Sequence, residues 1–257
     1  CEILDDVDFD KIKKSKPVWF LGYSDNTNLT FLLPTICDIT AIYSPCAPAY
    51  GMEPWHPSLK DTFELLTGKS NMAHGYDKWE KESLKNEENP LVPYNVTKKT
   101  EIKKFGAGKD DAKTEISGRL IGGCLDCLSN LAGTKFDKVS DFNEKYKEDG
   151  IIWFMESCDL NPMAIRRAIW QLDHAGWFKY VKGFLIGRPL CLDEEILGVD
   201  RYNAVYPLLE KYNVPIIMDL DIGHTAPMMP IVSGAKAEIV VEKNSIKIHY
   251  KAVSYTH

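Results

Sequence analysis

Ser24 stands in the sequence Gly-Tyr-Ser-Asp-Asn (22–26), directly after the short apolar run 17–21. A serine at a turn between a strand and a helix exposes its hydroxyl, and the start of the following helix offers backbone N–H groups to a developing oxyanion. These features predict a nucleophile for acyl transfer. Because the pattern is not the full G-x-S-x-G, an alternative interpretation is that Ser24 only caps the helix.

Two further ionisable residues follow apolar runs. Glu156 ends the run 151–155, and His224 stands in a Gly- and Pro-bounded loop soon after the run 214–218. A carboxylate at the end of a parallel strand lies where α/β proteins assemble their sites, and an imidazole suits a general base at neutral pH. The alternatives are an ion pair of Glu156 with Arg166 or Arg167, and a purely loop-holding role for His224. Together, Ser, Glu and His in this order favour a hydrolase.

The elements that must position these residues alternate between strand and helix, which predicts an α/β fold with a mostly parallel sheet. We predict strands over 17–21, 41–43, 118–121, 151–155, 183–186 and 214–218, helices over 26–37, 58–66 and 162–178, and a closing hairpin over 237–241 and 246–250. Residues 70–113 lack any apolar period and are predicted to be irregular.

This pattern divides the chain into two domains and a connection. Residues 1–69 are predicted to be the remainder of an N-terminal nucleophile domain, and residues 70–115 a linker and substrate loop. Residues 116–257 are predicted to form a C-terminal α/β domain that carries Glu156 and His224. The site then lies between the two domains.

Charge and hydropathy exclude several classes of protein. The 257 residues carry 31 Lys and Arg against 37 Asp and Glu, a net charge of −6, which argues against binding to a nucleic acid polymer or an anionic membrane. The longest apolar runs are about five residues, whereas a membrane span needs about 20. No partner of either kind is expected.

The seven cysteines are odd in number and spread over the chain, which is typical of a reducing compartment, and we predict a cytoplasmic protein. Cys124 and Cys127 form a C-x-x-C, but no second pair stands at zinc-finger distance. We therefore expect no metal site.

Several stretches together carry a resemblance to a known family. They are GYSDNT at 22–27, the strand that ends in Glu156, GHTAP at 223–227, the glycine pair in GRLIGGCLD at 118–126, and GFLIGR at 183–188. In this order and spacing the chain resembles the LD-carboxypeptidase family of serine peptidases, which includes the microcin C immunity proteins. The resemblance runs from about residue 7 to about residue 250.

The resemblance implies a cofactor-free, cytoplasmic Ser-Glu-His peptidase that removes a C-terminal residue or group, and we expect a homodimer. Ser24 would attack the carbonyl, His224 would transfer the proton, and Glu156 would orient the imidazole. The backbone N–H of Asp25 would be one oxyanion donor.

The family has two branches, one cutting murein tetrapeptides and the other peptidyl-nucleotide antibiotics. The long segment 70–113 and the form GYSDNTN favour the second branch. Trp79 is then a candidate for stacking a nucleobase, or else an aromatic that pins the loop. Asp126 and Tyr50 are candidates to border the substrate cleft, although a plain surface turn explains Tyr50 as well. A rival class is a catalytically idle protein that binds a peptide or nucleotide conjugate.

Only sixteen residues precede Pro17, too few for the neighbouring strands that a nucleophile-bearing sheet needs. The resemblance implies further strands upstream, with a glycine-rich segment that provides a second oxyanion donor. We therefore expect that the native polypeptide extends N-terminally and that residues 1–257 alone are unstable and inactive.

Overall fold

A computed structural model describes residues 1–251 of the chain, and within them it has seven α-helices and thirteen β-strands. The helices are α1 (Phe9–Lys14), α2 (Thr27–Thr30), α3 (Pro57–Leu66), α4 (Leu125–Leu131), α5 (Val139–Lys145), α6 (Pro162–His174) and α7 (Tyr206–Leu209). The strands are β1 (Leu21–Gly22), β2 (Ala41–Tyr43), β3 (Met72–His74), β4 (Lys78–Trp79), β5 (Lys98–Lys99), β6 (Lys103–Gly106), β7 (Lys113–Cys124), β8 (Ile151–Glu156), β9 (Val181–Gly187), β10 (Pro215–Leu220), β11 (Ile231–Ser233), β12 (Lys236–Glu242) and β13 (Ser245–Tyr250).

The large sheet has the strand order β3-β13-β12-β7-β8-β9-β10-β6. The expected parallel strands are confirmed in its centre, where β7, β8, β9 and β10 run in the same direction. The sheet as a whole is mixed, because the predicted hairpin β12–β13 joins β7 in antiparallel fashion and β3 and β6 close the two edges.

The prediction of an irregular segment at 70–113 is wrong in part. This segment contributes β3 to one edge of the large sheet and β6 to the other, while β4 and β5 pair with each other. Strands of two to four residues are too short to display an apolar period. The β4–β5 pair closes the base of a segment that we call the 80–97 loop.

A small sheet carries the nucleophile candidate and has the order β1-β2-β11. The observed strand β1 covers only Leu21–Gly22, so it is shorter than the predicted strand 17–21 and begins later in the chain. The predicted helix 26–37 is broken into a 3-10 turn at Ser24–Asn26, the short α2, and a π-helical turn at Leu33–Cys37. Pro34 explains the break, because it has no N–H to continue an α-helical ladder.

Strand β8 lies at the centre of the core. Its odd-numbered residues, such as Trp153, pack against the helices on one face, and Ile152 and Phe154 pack towards the small sheet on the other. Burial on both faces explains the uninterrupted apolar run. Helix α6 is confirmed, with the Asn161 side chain accepting a hydrogen bond from Ala164 N at 2.9 Å as the N-cap.

The parallel strands place their carboxyl ends at one edge of the large sheet, where Cys124 and Glu156 lie opposite each other in register. The small sheet docks there through Thr27, whose Oγ1 accepts a hydrogen bond from Cys124 N at 2.9 Å. Gly123, at φ +151°, permits this approach, since a Cβ there would lie 2.6 Å from the Thr27 methyl carbon. Strand pairing crosses the predicted domain boundaries, which stay predictions.

No helix among residues 1–251 is long and apolar enough to cross a bilayer.

Candidate active site

Ser24 follows β1 at the first position of the 3-10 turn and has a φ of +59°. This left-handed conformation is uncommon for a residue with a Cβ and is often found where a side chain is held for function. Tyr23, and not Ser24, occupies the N-cap position of the turn. The cap interpretation of Ser24 is therefore wrong, while a sharp strand-to-helix corner is present as predicted.

Glu156 and His224 form a hydrogen-bonded pair. The Nδ1 atom of His224 lies 2.8 Å from Oε2 of Glu156, whose side chain is fully buried. The alternative ion pair of Glu156 with Arg166 or Arg167 is not formed, and Arg166 donates instead to the Asn203 carbonyl. The imidazole is directed by this carboxylate, as the orienting member of a triad requires.

The environment of His224 favours its protonated form. Burial works against the charge, but the hydrogen bond and the negative charge of Glu156 outweigh it, so the pKa of His224 is raised above its ordinary value. Gly223 makes the close contact possible. Its φ is +97°, and a Cβ at this position would lie 2.2 Å from Oε2 of Glu156.

Tyr43 is the residue of this site that the sequence analysis missed. It ends β2, is fully buried, and donates its phenolic hydrogen to Oε1 of Glu156. The hydroxyl oxygen of Tyr43 in turn accepts a hydrogen bond from the backbone N–H of Ser24 at 3.2 Å. Tyr43 therefore links the corner that carries Ser24 to the carboxylate that holds His224. In the sequence it is indistinguishable from an apolar strand residue.

A cavity of about 650 Å³ opens in front of these groups, and both Ser24 and His224 line it. Tyr23 and Tyr94 provide aromatic surface in its wall. Lys85 lies on the 80–97 loop with its ammonium group 5.0 Å from the centre of the Tyr94 ring. Burial raises the pKa of Tyr94 to about 12, so its phenol is uncharged at neutral pH.

The three predicted substrate residues lie outside the lining of this cavity. Trp79 donates its indole N–H to the Lys99 carbonyl and faces the Arg188 guanidinium, as an aromatic that pins the loop would. Asp126 accepts hydrogen bonds from the backbone N–H groups of residues 158 and 159, and so holds the chain that follows Glu156. Tyr50 lies in the 3-10 turn Ala47–Gly51 and packs against Trp55.

A second buried pair supports the loop that carries His224. The Arg188 guanidinium binds Oδ1 of Asp221, and both side chains are at most 2% exposed. The other carboxylate oxygen of Asp221 accepts the Tyr76 N–H at 2.7 Å. Glu80 N also donates to the Ala226 carbonyl at 2.6 Å, which ties the 80–97 loop to the His224 loop.

The fold also gathers three side chains that can ligate a metal, which the sequence spacing did not reveal. The thiol of Cys124, the carboxylate of Glu156 and the imidazole of His224 place one donor atom each within 4.8 Å of one another. Residues 124, 156 and 224 come from two adjacent strand ends and a loop, so no local motif marks them.

Comparison with known proteins matches two parts of the chain to domains of one family. The LD-carboxypeptidase N-terminal domain family matches residues 1–44, which contain Ser24, and the LD-carboxypeptidase C-terminal domain family matches residues 117–239, which contain Glu156 and His224. The chain belongs to the LD-carboxypeptidase family. It is thus a member of a family of serine peptidases, in agreement with the resemblance of its motifs.

Among LD-carboxypeptidase relatives, the microcin C7 self-immunity protein MccF of Escherichia coli is 27% identical over 253 residues, which cover 94% of this chain and 68% of that protein. A solved structure of MccF with aspartyl sulfamoyl adenosine has a TM-score of 0.73 at 23% identity, over 98% of this chain and 73% of that one. The muramoyltetrapeptide carboxypeptidase of Oxalobacter formigenes has a TM-score of 0.67 at 22% identity, over 97% and 73%. These structural similarities establish the two-domain fold.

Proposed function

We propose that Ser24, His224 and Glu156 act as a catalytic triad that hydrolyses the amide bond to a C-terminal residue or group. The observation that carries the proposal is the 2.8 Å hydrogen bond that fixes His224 beside a cavity which Ser24 also lines. With Nδ1 bound to Glu156, Nε2 is the nitrogen left to exchange a proton with the serine hydroxyl.

In this mechanism Ser24 Oγ attacks the substrate carbonyl while His224 accepts its proton. The imidazolium that forms is stabilised by Glu156 and then protonates the leaving amine, and water completes the hydrolysis of the acyl-enzyme by the same route. The N–H of Ser24 is already bound to Tyr43. Asp25, the exposed second residue of the same 3-10 turn, is the expected backbone donor to the oxyanion.

Tyr43 is proposed as a positioning residue. Its hydroxyl satisfies one oxygen of Glu156, which leaves the other oxygen to hold His224. Because the phenol also accepts a hydrogen bond from the Ser24 N–H, it links the corner that carries the nucleophile to the carboxylate that orients the base. Hydrogen bonds to a buried carboxylate are stronger than those between neutral groups.

We propose a peptidyl- or aminoacyl-nucleotide as the substrate, which would give immunity to antibiotics of that chemistry. The rings of Tyr23 and Tyr94 in the cavity wall offer surfaces on which a nucleobase can stack. The ammonium group of Lys85 suits the anionic linkage between the aminoacyl group and the nucleoside. The similarity to MccF supports the same class. The cavity favours Tyr94 over the predicted Trp79 for stacking.

A murein tetrapeptide is the second candidate substrate, in an L,D-carboxypeptidase of peptidoglycan recycling. The fold that this chain shares with the Oxalobacter formigenes muramoyltetrapeptide carboxypeptidase favours it. A binding protein without hydrolytic activity is the third candidate and differs from both in needing no activated serine.

The deciding experiment incubates the protein with an aminoacyl-sulfamoyl adenosine and, separately, with a murein tetrapeptide. We expect release of the amino acid from the first, loss of that activity in Ser24→Ala, and labelling of Ser24 by a fluorophosphonate. Cleavage of the tetrapeptide alone would select the recycling enzyme. Binding of either ligand with neither cleavage nor labelling would select the binding protein.

Substrate recognition is tested by Tyr94→Ala with Trp79→Ala as its matched control. Loss of a stacking ring should weaken nucleotide substrates by about 1–3 kcal/mol and spare a plain peptide. We expect this pattern for Tyr94 and equal, small changes on both substrates for Trp79. The reverse result would restore the original assignment of Trp79.

We further propose a cytoplasmic homodimer. All seven cysteines lie in the described residues as free thiols, which supports a reducing compartment. Sedimentation equilibrium and fractionation of cells that express the protein test the two statements separately.

A further inference from the structure

Cys124 lies beside the Glu156–His224 pair and has no part in the proposed hydrolysis. It ends β7 directly opposite Glu156 in β8, and it is 1% exposed. Its thiol donates to Oδ2 of Asp126 at 3.3 Å. The position is set by the parallel register, which points the side chains of Cys124 and Glu156 to the same side of the sheet.

Thiolate, carboxylate and imidazole are the three side-chain ligands that Zn²⁺ takes in proteins. Tetrahedral geometry at zinc–ligand bonds of about 2.0–2.3 Å separates the ligand atoms by roughly 3.5 Å. The three donor atoms here lie within 4.8 Å of one another. Side-chain movements of about 1 Å therefore complete three corners of a tetrahedron.

The charges of the group also balance for a divalent cation. The thiolate of Cys124 and the carboxylate of Glu156 cancel two positive charges, while His224 binds as the neutral imidazole. A neutral cluster avoids the large cost of an uncompensated buried charge. On binding, the thiol proton is displaced to solvent and the Cys124 sulfur exchanges its contact with Asp126 for a bond to the metal.

The cavity supplies access to this group, since His224 lines it and its side chain is 12% exposed. Three protein ligands leave a fourth corner for water or an anionic group that enters from the cavity. The arrangement is that of an open metal site and not of a closed structural one.

We propose that Cys124, Glu156 and His224 form an inhibitory site for a thiophilic divalent cation, with Zn²⁺ as the best match. A bound cation occupies the carboxylate and the imidazole together, so His224 loses both its orienting partner and its ability to accept the Ser24 proton. The metal has no part in hydrolysis and opposes it.

Binding is tested on the whole protein with Co²⁺ as a spectroscopic probe, followed by displacement with Zn²⁺. We expect a thiolate-to-cobalt absorption band, and a zinc stoichiometry that falls by one in Cys124→Ser. Loss of even an outer-shell partner weakens metal affinity about 10–100-fold, so loss of this ligand should weaken it at least as much. His224→Ala should weaken it similarly.

Cys127→Ser is the matched control, because Cys127 lies one turn further along and its thiol contacts the Ser24 carbonyl at 3.7 Å instead. It should keep the cobalt band and the zinc affinity of the parent. An absent band in the parent, or equal zinc binding by the parent and by Cys124→Ser, would overturn the site.

Inhibition is measured through fluorophosphonate labelling of Ser24 with and without Zn²⁺. Zinc should reduce the labelling, and EDTA should restore it. Cys124→Ser should be labelled at the parent rate and should resist zinc. Labelling that zinc leaves unchanged in the parent would overturn the inhibitory role. If the parent is not labelled even without metal, the proposed hydrolysis fails, while the cobalt and zinc titrations still decide the site.

Discussion

Two buried acid–base pairs hold the loop that carries His224, and they differ in the chemistry they can perform. Arg188 and Asp221 are at most 2% exposed and hold the start of the loop. Glu156 is equally buried, but its partner His224, three residues beyond Asp221, reaches the cavity. Burial of an acid beside a base therefore does not identify an active site.

The chemical difference is that one pair can exchange a proton near neutral pH and the other cannot. A guanidinium keeps its charge at all relevant pH values, whereas an imidazole changes charge between about pH 5 and 8. We therefore expect substitutions in the Glu156–His224 pair to reduce turnover and those in the Arg188–Asp221 pair to reduce stability. The following experiments test that division.

The largest effect is expected from His224→Ala, which removes the general base. Turnover should fall by about 10⁴–10⁶-fold, as for the loss of a base that acts in a triad. The melting temperature should fall less than in Arg188→Leu, because His224 is partly exposed and Tyr43 still donates a hydrogen bond to Glu156. Steady-state kinetics and thermal unfolding of the same preparations measure both.

The control for this result is the double variant with Ser24→Ala. Because members of a triad act as a unit, the second substitution should add little to the first. Additive losses would mean that Ser24 and His224 act in separate steps. The Glu156–His224 pair would then no longer differ from the Arg188–Asp221 pair by membership of a triad.

Arg188→Leu should act mainly on stability. Removing one partner of a buried ion pair leaves Asp221 uncompensated and costs about 3–5 kcal/mol in the free energy of unfolding. Urea denaturation measures the loss. Turnover per folded molecule should change far less than in His224→Ala.

Adding Asp221→Asn to Arg188→Leu should restore part of that stability. The amide carries no charge and its oxygen can still accept the Tyr76 N–H. If the double variant is less stable than Arg188→Leu, the buried charge of Asp221 is not the cause of the loss.

Tyr43→Phe should have an intermediate effect on turnover with little change in substrate affinity. A hydrogen bond to a charged group contributes about 1.5–3 kcal/mol, which corresponds to a loss of roughly 10–100-fold in kcat. Without the phenol, the negative charge of Glu156 is less dispersed and favours the imidazolium more. The rising limb of the pH profile should therefore move to higher pH, a shift that a packing defect alone would not produce.

The smallest effect concerns pH. Because the pKa of His224 is raised above 6.5, kcat/KM should increase with pH through a single group whose midpoint lies above that value. A raised folded-state pKa stabilises the fold below the unfolded pKa, and that contribution is lost as pH rises through the folded pKa. As pH rises, kcat/KM should therefore increase while the stability that His224 contributes decreases.

The increment is the difference in unfolding free energy between the parent and His224→Gln, measured by urea denaturation between about pH 5 and 8. A pH-independent increment for His224 would contradict the assigned environment of the imidazole.

The sequence predicts those elements whose structure is decided by interactions between residues that are close along the chain. Strand β8 is predicted by its apolar run, α6 by Asn161 and Pro162 at its start, and the Ser24 corner by its turn residues. The family resemblance is confirmed by the two domain matches.

Long-range contacts explain what the sequence did not predict. Tyr43 meets Glu156 across 113 positions, and nothing in the run 41–43 distinguishes its hydroxyl from an ordinary core ring. The short strands β3 and β6 exist because the large sheet offers them edges, and not because of any periodicity of their own. The same reasoning applies to Trp79 and Tyr94, whose directions are set by the closure of the 80–97 loop.

That closure has a consequence for how this enzyme can diversify. The β4–β5 pair fixes both ends of the 80–97 loop, and the loop supplies Lys85 and Tyr94 to the cavity while Ser24, Glu156 and His224 come from elsewhere. The loop therefore contributes to the wall of the cavity and not to the proposed triad. We therefore expect substitutions in this loop to change which molecules the cavity accepts while Ser24, Glu156 and His224 stay in place.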